Sequence, residues 1–159
     1  METSSPRPGR SGTPIAEPAP GPLILDTHVW LWSIEGRREQ LSGRAVRAIE
    51  AASRRGEILI PAICVWEVAM LEAKGRIGLS QPLEEWVRKA LRAPGARLLD
   101  LSPEIAVESA RLPGSPQGDP ADRLIIASAR VAGARVATRD ERTLAYGREG
   151  YVGILDVTR

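Results

Sequence analysis

At 159 residues, with a formal charge of +2 and a single cysteine, the chain has room for one domain with a real core and for no internal disulfide. No apolar run approaches the length of a membrane span, so none is expected. Residues 1–22 are dense in Pro, Gly and Ser and lack the apolar centre of a signal peptide, so they read as a disordered tail ahead of one domain at 23–159. With no export signal and one thiol, Cys64, the expected compartment is the cytoplasm.

Five short aliphatic runs alternate with helical stretches. The first, Leu23–Asp26, is followed by helices over Val29–Ile34 and Gly43–Arg54. Ile58–Ile60 comes next, before helices over Ala62–Lys74 and Leu83–Leu91. Arg97–Leu101 precedes a helix over Pro103–Arg111, and a turn-rich loop at 114–118 leads into Pro120–Ala132. Arg135–Thr138 and Gly153–Val157 close the series. The strand candidates are continuous apolar runs, as expected of a sheet covered on both faces. Their alternation with helices predicts an α/β fold with a mostly parallel sheet of four to five strands.

Five carboxylates, Asp26, Glu67, Asp119, Asp122 and Asp140, stand where this pattern turns or buries itself. Asp26 and Asp140 follow strands, and in open parallel sheets the ligand site lies beyond the carboxyl ends of the strands. Glu67 has Ile63, Cys64, Met70 and Leu71 as its helical neighbours, so it is no solvated-face residue and needs a partner, a metal or an Arg. Asp122 leads the stripe Ile125, Ile126 and Ala129. Asp119-Pro120-Ala121-Asp122 also reads as a helix N-cap, and Asp26 and Asp140 could each cap a helix, Asp140 a short one through Leu144. Capping must be invoked separately each time, whereas a hard divalent cation, Mg²⁺ or Mn²⁺, would account for the set at once. Residues 23–159 hold 20 Lys and Arg against 18 Asp and Glu; without these five acids the remainder is +7. A basic surface around an acidic pit suits a polyanionic substrate. The lone His28 reads as a local packing residue, and Trp30, Trp32, Trp66 and Trp86 as core or partner-groove residues.

The stretches Leu25-Asp26-Thr27-His28-Val29-Trp30-Leu31-Trp32, Trp66-Glu67-Val68-Ala69, Gly118-Asp119-Pro120-Ala121-Asp122-Arg123 and Thr138-Arg139-Asp140 occur in an order that resembles the PIN-domain ribonucleases, specifically VapC-type toxins of toxin–antitoxin pairs. The resemblance runs from about residue 23 to the C-terminus. It implies a three-layer α/β/α PIN-like fold and Mg²⁺- or Mn²⁺-dependent cleavage of RNA. Its acidic quartet falls on Asp26, Glu67, Asp122 and Asp140, with Asp119 as an additional metal ligand. Thr27 and Thr138 are expected to orient waters around the ion, and Arg123 and Arg139 to contact the RNA backbone. The implied partners are a small cognate antitoxin, promoter DNA reached only through that antitoxin, and a second copy of the chain. The rival from another class is a PIN-fold module that binds RNA or protein without turnover. A haloacid-dehalogenase-type phosphatase would need an Asp where His28 stands, and a receiver domain a late Lys where Thr138-Arg139 stands.

Overall fold

The computed structural model describes residues 21–114, 116 and 118–159; all but the last two residues of the expected tail, and two positions of the 114–118 loop, lie outside them. Five strands, all parallel, form one sheet: β1 (Leu23–Leu25), β2 (Ile58–Pro61), β3 (Ala96–Leu99), β4 (Arg135–Thr138) and β5 (Gly153–Asp156). Their spatial order is β3-β2-β1-β4-β5. The flanking helices are α1 (Thr27–Glu35), α2 (Gly43–Arg54), α3 (Ala62–Ala73), α4 (Leu83–Leu91), α5 (Pro103–Ala110), α6 (Pro120–Ala132) and α7 (Glu141–Arg148), with a short 3-10 turn at Arg38–Gln40.

The three inner strands are the apolar runs the sequence predicts, and Leu23, Ile24, Ile60, Val136 and Ala137 are fully covered. The edge strands differ. Arg97 and Leu98 of β3 are exposed, because helices pack over the centre of a sheet and leave its borders partly open. β3 also ends at Leu99 and not Leu101: its last partner is Pro61, after which the β2 chain turns into α3 and offers nothing more to pair. Its entry depends on Gly95, at φ +77, where a Cβ would lie 1.9 Å from the Ser53 carbonyl oxygen; no other residue fits. α7 runs to Arg148, four residues past the short helix expected after Asp140.

The core on the β2 side of α1 is centred on Trp30 and Trp86, whose rings meet edge to face at 5.0 Å. The Trp86 indole N–H donates to Glu35 Oε1 at 2.6 Å, and Ser80 Oγ donates to the same oxygen at 3.2 Å. Glu35→Ala would leave the buried indole N–H without an acceptor and is expected to cost about 1–2 kcal/mol, read as a lowered denaturation midpoint. An unchanged midpoint would show that water serves equally well.

The order of strands places the site. From β1 the chain moves to β2 on one side, while β4 pairs along the other side of β1. Between the carboxyl ends of β1 and β4 the connections leave in opposite directions, opening a crevice where parallel sheets bind their ligands.

Candidate metal centre

Asp26 follows β1 directly and caps α1, accepting from the Val29 N–H at 2.9 Å. Its other oxygen accepts a short hydrogen bond from the Thr138 hydroxyl at the end of β4. Thr138 Oγ1 in turn accepts from the Asp140 N–H at 3.0 Å. The two central strands are thus laced together at their carboxyl ends through one threonine. Asp140 caps α7, its Oδ2 taking both the N–H and the hydroxyl of Thr143 at 2.9 Å. The Asp-x-x-Thr spacing carried that second contact in the sequence, yet Thr143 was not among the expected site residues.

Glu67, on α3, is half-buried and accepts from the Thr27 hydroxyl at 2.6 Å. Its partner among protein groups is therefore a threonine and not an arginine. Thr27 and Thr138, expected to orient waters, act here on the carboxylates themselves. Asp119 caps α6 through the Asp122 N–H at 2.9 Å, as the Asp-Pro-x-Asp pattern predicts. The Asp122 carboxylate in turn accepts from the Asp119 backbone N–H, so the two acids cap the start of α6 reciprocally. Gly118 lies against it: a Cβ there would come within 3.2 Å of the Asp122 Cβ.

Three of the acids, Asp26, Glu67 and Asp122, sense their acidic neighbours. Burial pushes the Asp26 carboxyl up, against the opposing pull of its Thr138 and Val29 hydrogen bonds, and Asp140 raises it further. Burial also raises Glu67, with Asp119 and Asp26 adding to the effect and Thr27 opposing it. Asp122 is pushed to about 7, by burial first and then by Asp119, Asp140 and Glu67. Among the described residues, no Lys or Arg forms an ion pair with any of the five; the ion pairs found, such as Arg130–Glu108 and Arg55–Glu57, engage other acids. Converging carboxylates without a protein cation are a hard-oxygen donor set, the kind Mg²⁺ and Mn²⁺ take.

The side chains are not drawn into a closed cage. Among the described residues, no three His, Cys, Asp or Glu groups are spaced to grip one ion. Magnesium does not require that, since it is commonly bound through one or two carboxylates and keeps several of its waters. The donor set fits on chemistry. A larger cavity of about 650 Å³ lies elsewhere, lined by Arg130, Arg135, Tyr151 and Gly153, and holds none of the five acids. An open sheet edge, and not an enclosed pocket, is what a polymer backbone needs.

The two arginines expected at the RNA differ in placement. Arg123 donates to the carbonyls of Ser109 and Pro116, at 3.0 and 3.4 Å, and so ties α6 to α5 and the preceding loop. Arg139 is exposed; its guanidinium lies 4.6 Å over the Trp32 ring and also reaches Gln40 Oε1 at 3.4 Å. His28 is exposed at the same lip, and its ring meets that of Trp32 at 5.8 Å. Trp30, Trp32 and Trp86 are core residues, whereas Trp66, next to Glu67, is 55% exposed. Beneath the site Cys64 donates to the Leu25 carbonyl at 3.8 Å, and burial pushes its thiol far above the usual range. It is a packing residue and not a nucleophile.

This fold, with its acids at the switch point, has known counterparts. The PIN-domain profile matches residues 23–149, and the chain belongs to the PIN-domain family. A curated relative, Ribonuclease VapC22 of Mycobacterium tuberculosis, is 40% identical over 121 residues, covering 76% of this chain and 88% of its own length, which puts the chain among the VapC-type members. Among solved structures, VapBC2 from Rickettsia felis bound to a DNA fragment from its promoter superimposes with a TM-score of 0.60 at 15% identity, over 84% of this chain and 96% of that one. FitAcB from Neisseria gonorrhoeae gives 0.57 at 21% identity, over 86% and 99%. At these identities the structural likeness is one of fold.

Proposed function

We propose that the protein is a Mg²⁺- or Mn²⁺-dependent endoribonuclease, the toxin of a VapBC-type toxin–antitoxin pair. The observation that carries this reading is the set Asp26, Glu67, Asp119, Asp122 and Asp140, with the carboxyls of Asp26, Glu67 and Asp122 pushed up and no Lys or Arg among the described residues paired with any of the five. Asp26 and Asp122 would hold the ion directly, with Glu67, Asp140 and Asp119 completing its surroundings directly or through water. A divalent ion bound there supplies charge neutralisation at phosphate and a more acidic water. The chain's own part is orientation. Thr138 fixes Asp26 to β4, Thr27 fixes Glu67, and Thr143 fixes Asp140. Because four of the donors sit at strand ends or helix starts and Glu67 lies within α3, the carboxylates are carried on rigid elements before substrate arrives.

The partner we infer is a small antitoxin. A solved structure of similar fold from Klebsiella pneumoniae is named a toxin–antitoxin complex, and VapBC2 is bound to a DNA fragment from its promoter. Promoter binding would then pass through the antitoxin, with two copies of this chain in the assembly. Purified protein, free of antitoxin, is expected to cut total cellular RNA with Mg²⁺ or Mn²⁺ and to stop in EDTA, leaving 5′-phosphate and 3′-hydroxyl ends. Cleavage that persists in EDTA would refute the metal. Folded protein that cuts no RNA under either condition would favour the binding module.

A further inference from the structure

We propose that the cavity at the amino ends of β4 and β5, walled by Arg130 and Arg135, is a binding site for the phosphate group of a small molecule. It lies at the pole of the sheet opposite the acids, since Arg135 and Gly153 open the strands that close at Thr138 and Asp156. The cavity measures about 650 Å³, room for a ligand of nucleotide size, and is lined also by Gly133, Gly150 and Tyr151.

The two arginines stand in different states. Arg130 is engaged by the fold: its Nε donates to Glu108 Oε1 at 2.6 Å and its Nη1 to the Tyr151 carbonyl. Those contacts tie α6 to α5 and to the turn before β5, and they neutralise Glu108, which also lines the cavity. Arg135 has no such engagement. It pairs with no acid among the described residues, and its Nε is buried without a hydrogen-bond partner. A buried donor left open in this way calls for an acceptor. Packing accounts for the stem of Arg135 and not for its head: the side chain crosses β5 at Gly153, where a Cβ would come within 2.9 Å of its Cγ. Burial, with the fields of Arg55 and Arg44 added, holds the guanidinium below its usual range, so positive charge is concentrated at this end of the sheet. An open Nε–H and the adjoining Nη–H form a parallel pair that grips two oxygens of one phosphate. Phosphate, with close to two negative charges, offsets such a cluster better than a single carboxylate does.

The test is an NMR titration of the full-length, ¹⁵N-labelled protein at constant ionic strength, in EDTA so that no metal ion draws phosphate to the carboxylates. The probes are inorganic phosphate, ribose 5-phosphate and, as the uncharged control, ribose. Both phosphates are expected to shift the Arg135 Nε–H resonance and the Gly150 and Gly153 amides saturably, and ribose to shift none of them. Tighter binding of the ester assigns the site to a phosphorylated metabolite, and equal binding assigns it to the free ion. Arg135→Gln, read on the glycine amides, is expected to weaken both phosphates by about tenfold or more, as loss of a charge-assisted pair should. Arg135→Lys, which keeps the charge and loses the fork, is expected to weaken them by less. Should the Gln variant not fold, the Nε–H resonance of the parent, assigned by its loss in Arg135→Lys, decides alone. No shift of that resonance with either phosphate, equal shifts with ribose, or undiminished affinity in folded Arg135→Gln overturns the site.

Discussion

Asp26→Asn and Asp122→Asn are each expected to lower RNA cleavage by more than about 100-fold while the protein stays folded, because loss of outer-sphere partners alone commonly costs 10–100-fold at metal sites. An amide keeps the shape of the carboxylate and removes its charge, so the donor set loses a hard anionic ligand. The fold keeps most of what Asp26 gives it. Asn caps helices as well as Asp does, so the Val29 N–H keeps its acceptor. The contact with Thr138 is the one at risk, since an amide offers one acceptor oxygen where the carboxylate offers two. Asp122 accepts from the Asp119 backbone N–H, which the amide oxygen of Asn can still accept. The measurement is cleavage of total RNA with sequenced fragment ends, paired with a thermal melt of each variant. Full activity in both would refute the assignment of these two residues. Unfolding of both would show that the acids are structural first.

Stability in EDTA should fall as pH rises from about 5 to 8, and Asp122→Asn should flatten that slope. The carboxyl of Asp122 titrates near 7 in the folded protein against an ordinary 3.8. Between those values the folded state binds more protons than the unfolded one, so each increment of pH favours unfolding. The penalty is absent below the unfolded value and complete above the folded one. In a dry site it would come to about 4 kcal/mol, and solvent screening of this half-exposed group reduces it to on the order of 1–2 kcal/mol. Burial of Asp26 and Glu67 acts in the same direction. At pH 8 the Asn variant should therefore melt above the parent, although it is expected to be inactive. Added Mg²⁺ should raise the parent's midpoint and move the variant's much less. A variant that melts lower at pH 8, with the parent's pH slope, would show that Asp122 gives the fold more than it costs.

Much of this was legible in the sequence because it is local. Apolar runs at strand length, separated by helical stretches, give the parallel sheet, and Asp-Pro at 119–120 marks the start of α6. Placing Asp26 and Asp140 at the same edge needs only the rule that parallel strands end together. What escaped is what depends on distant partners. Thr27 meets Glu67 across 40 positions and Thr138 meets Asp26 across 112, and nothing in either hydroxyl's neighbourhood points there. Arg123 carries the charge of an RNA contact, but carbonyls at 109 and 116 engage it. Trp66 and Glu67 are adjacent on α3, and apolar periodicity could not say that the indole would be the more exposed of the two. His28, read as a local packing residue, does meet Trp32 one turn along α1, and only its exposure went beyond that reading.

Three of the five acids, Asp26, Asp119 and Asp140, accept the first N–H bonds of the helices they begin. Aspartate and asparagine codons differ by one transition, and asparagine serves in the same capping position. If these acids hold the ion as proposed, a single nucleotide change at such a codon would silence the chemistry and spare the scaffold. In a cell where the active protein is harmful, the most accessible escape would leave a silent copy that still folds and still engages its partner. Loss of toxicity and loss of the protein are then separable events in a genome, and surveys of inactivated copies should find asparagine at these positions more often than alanine.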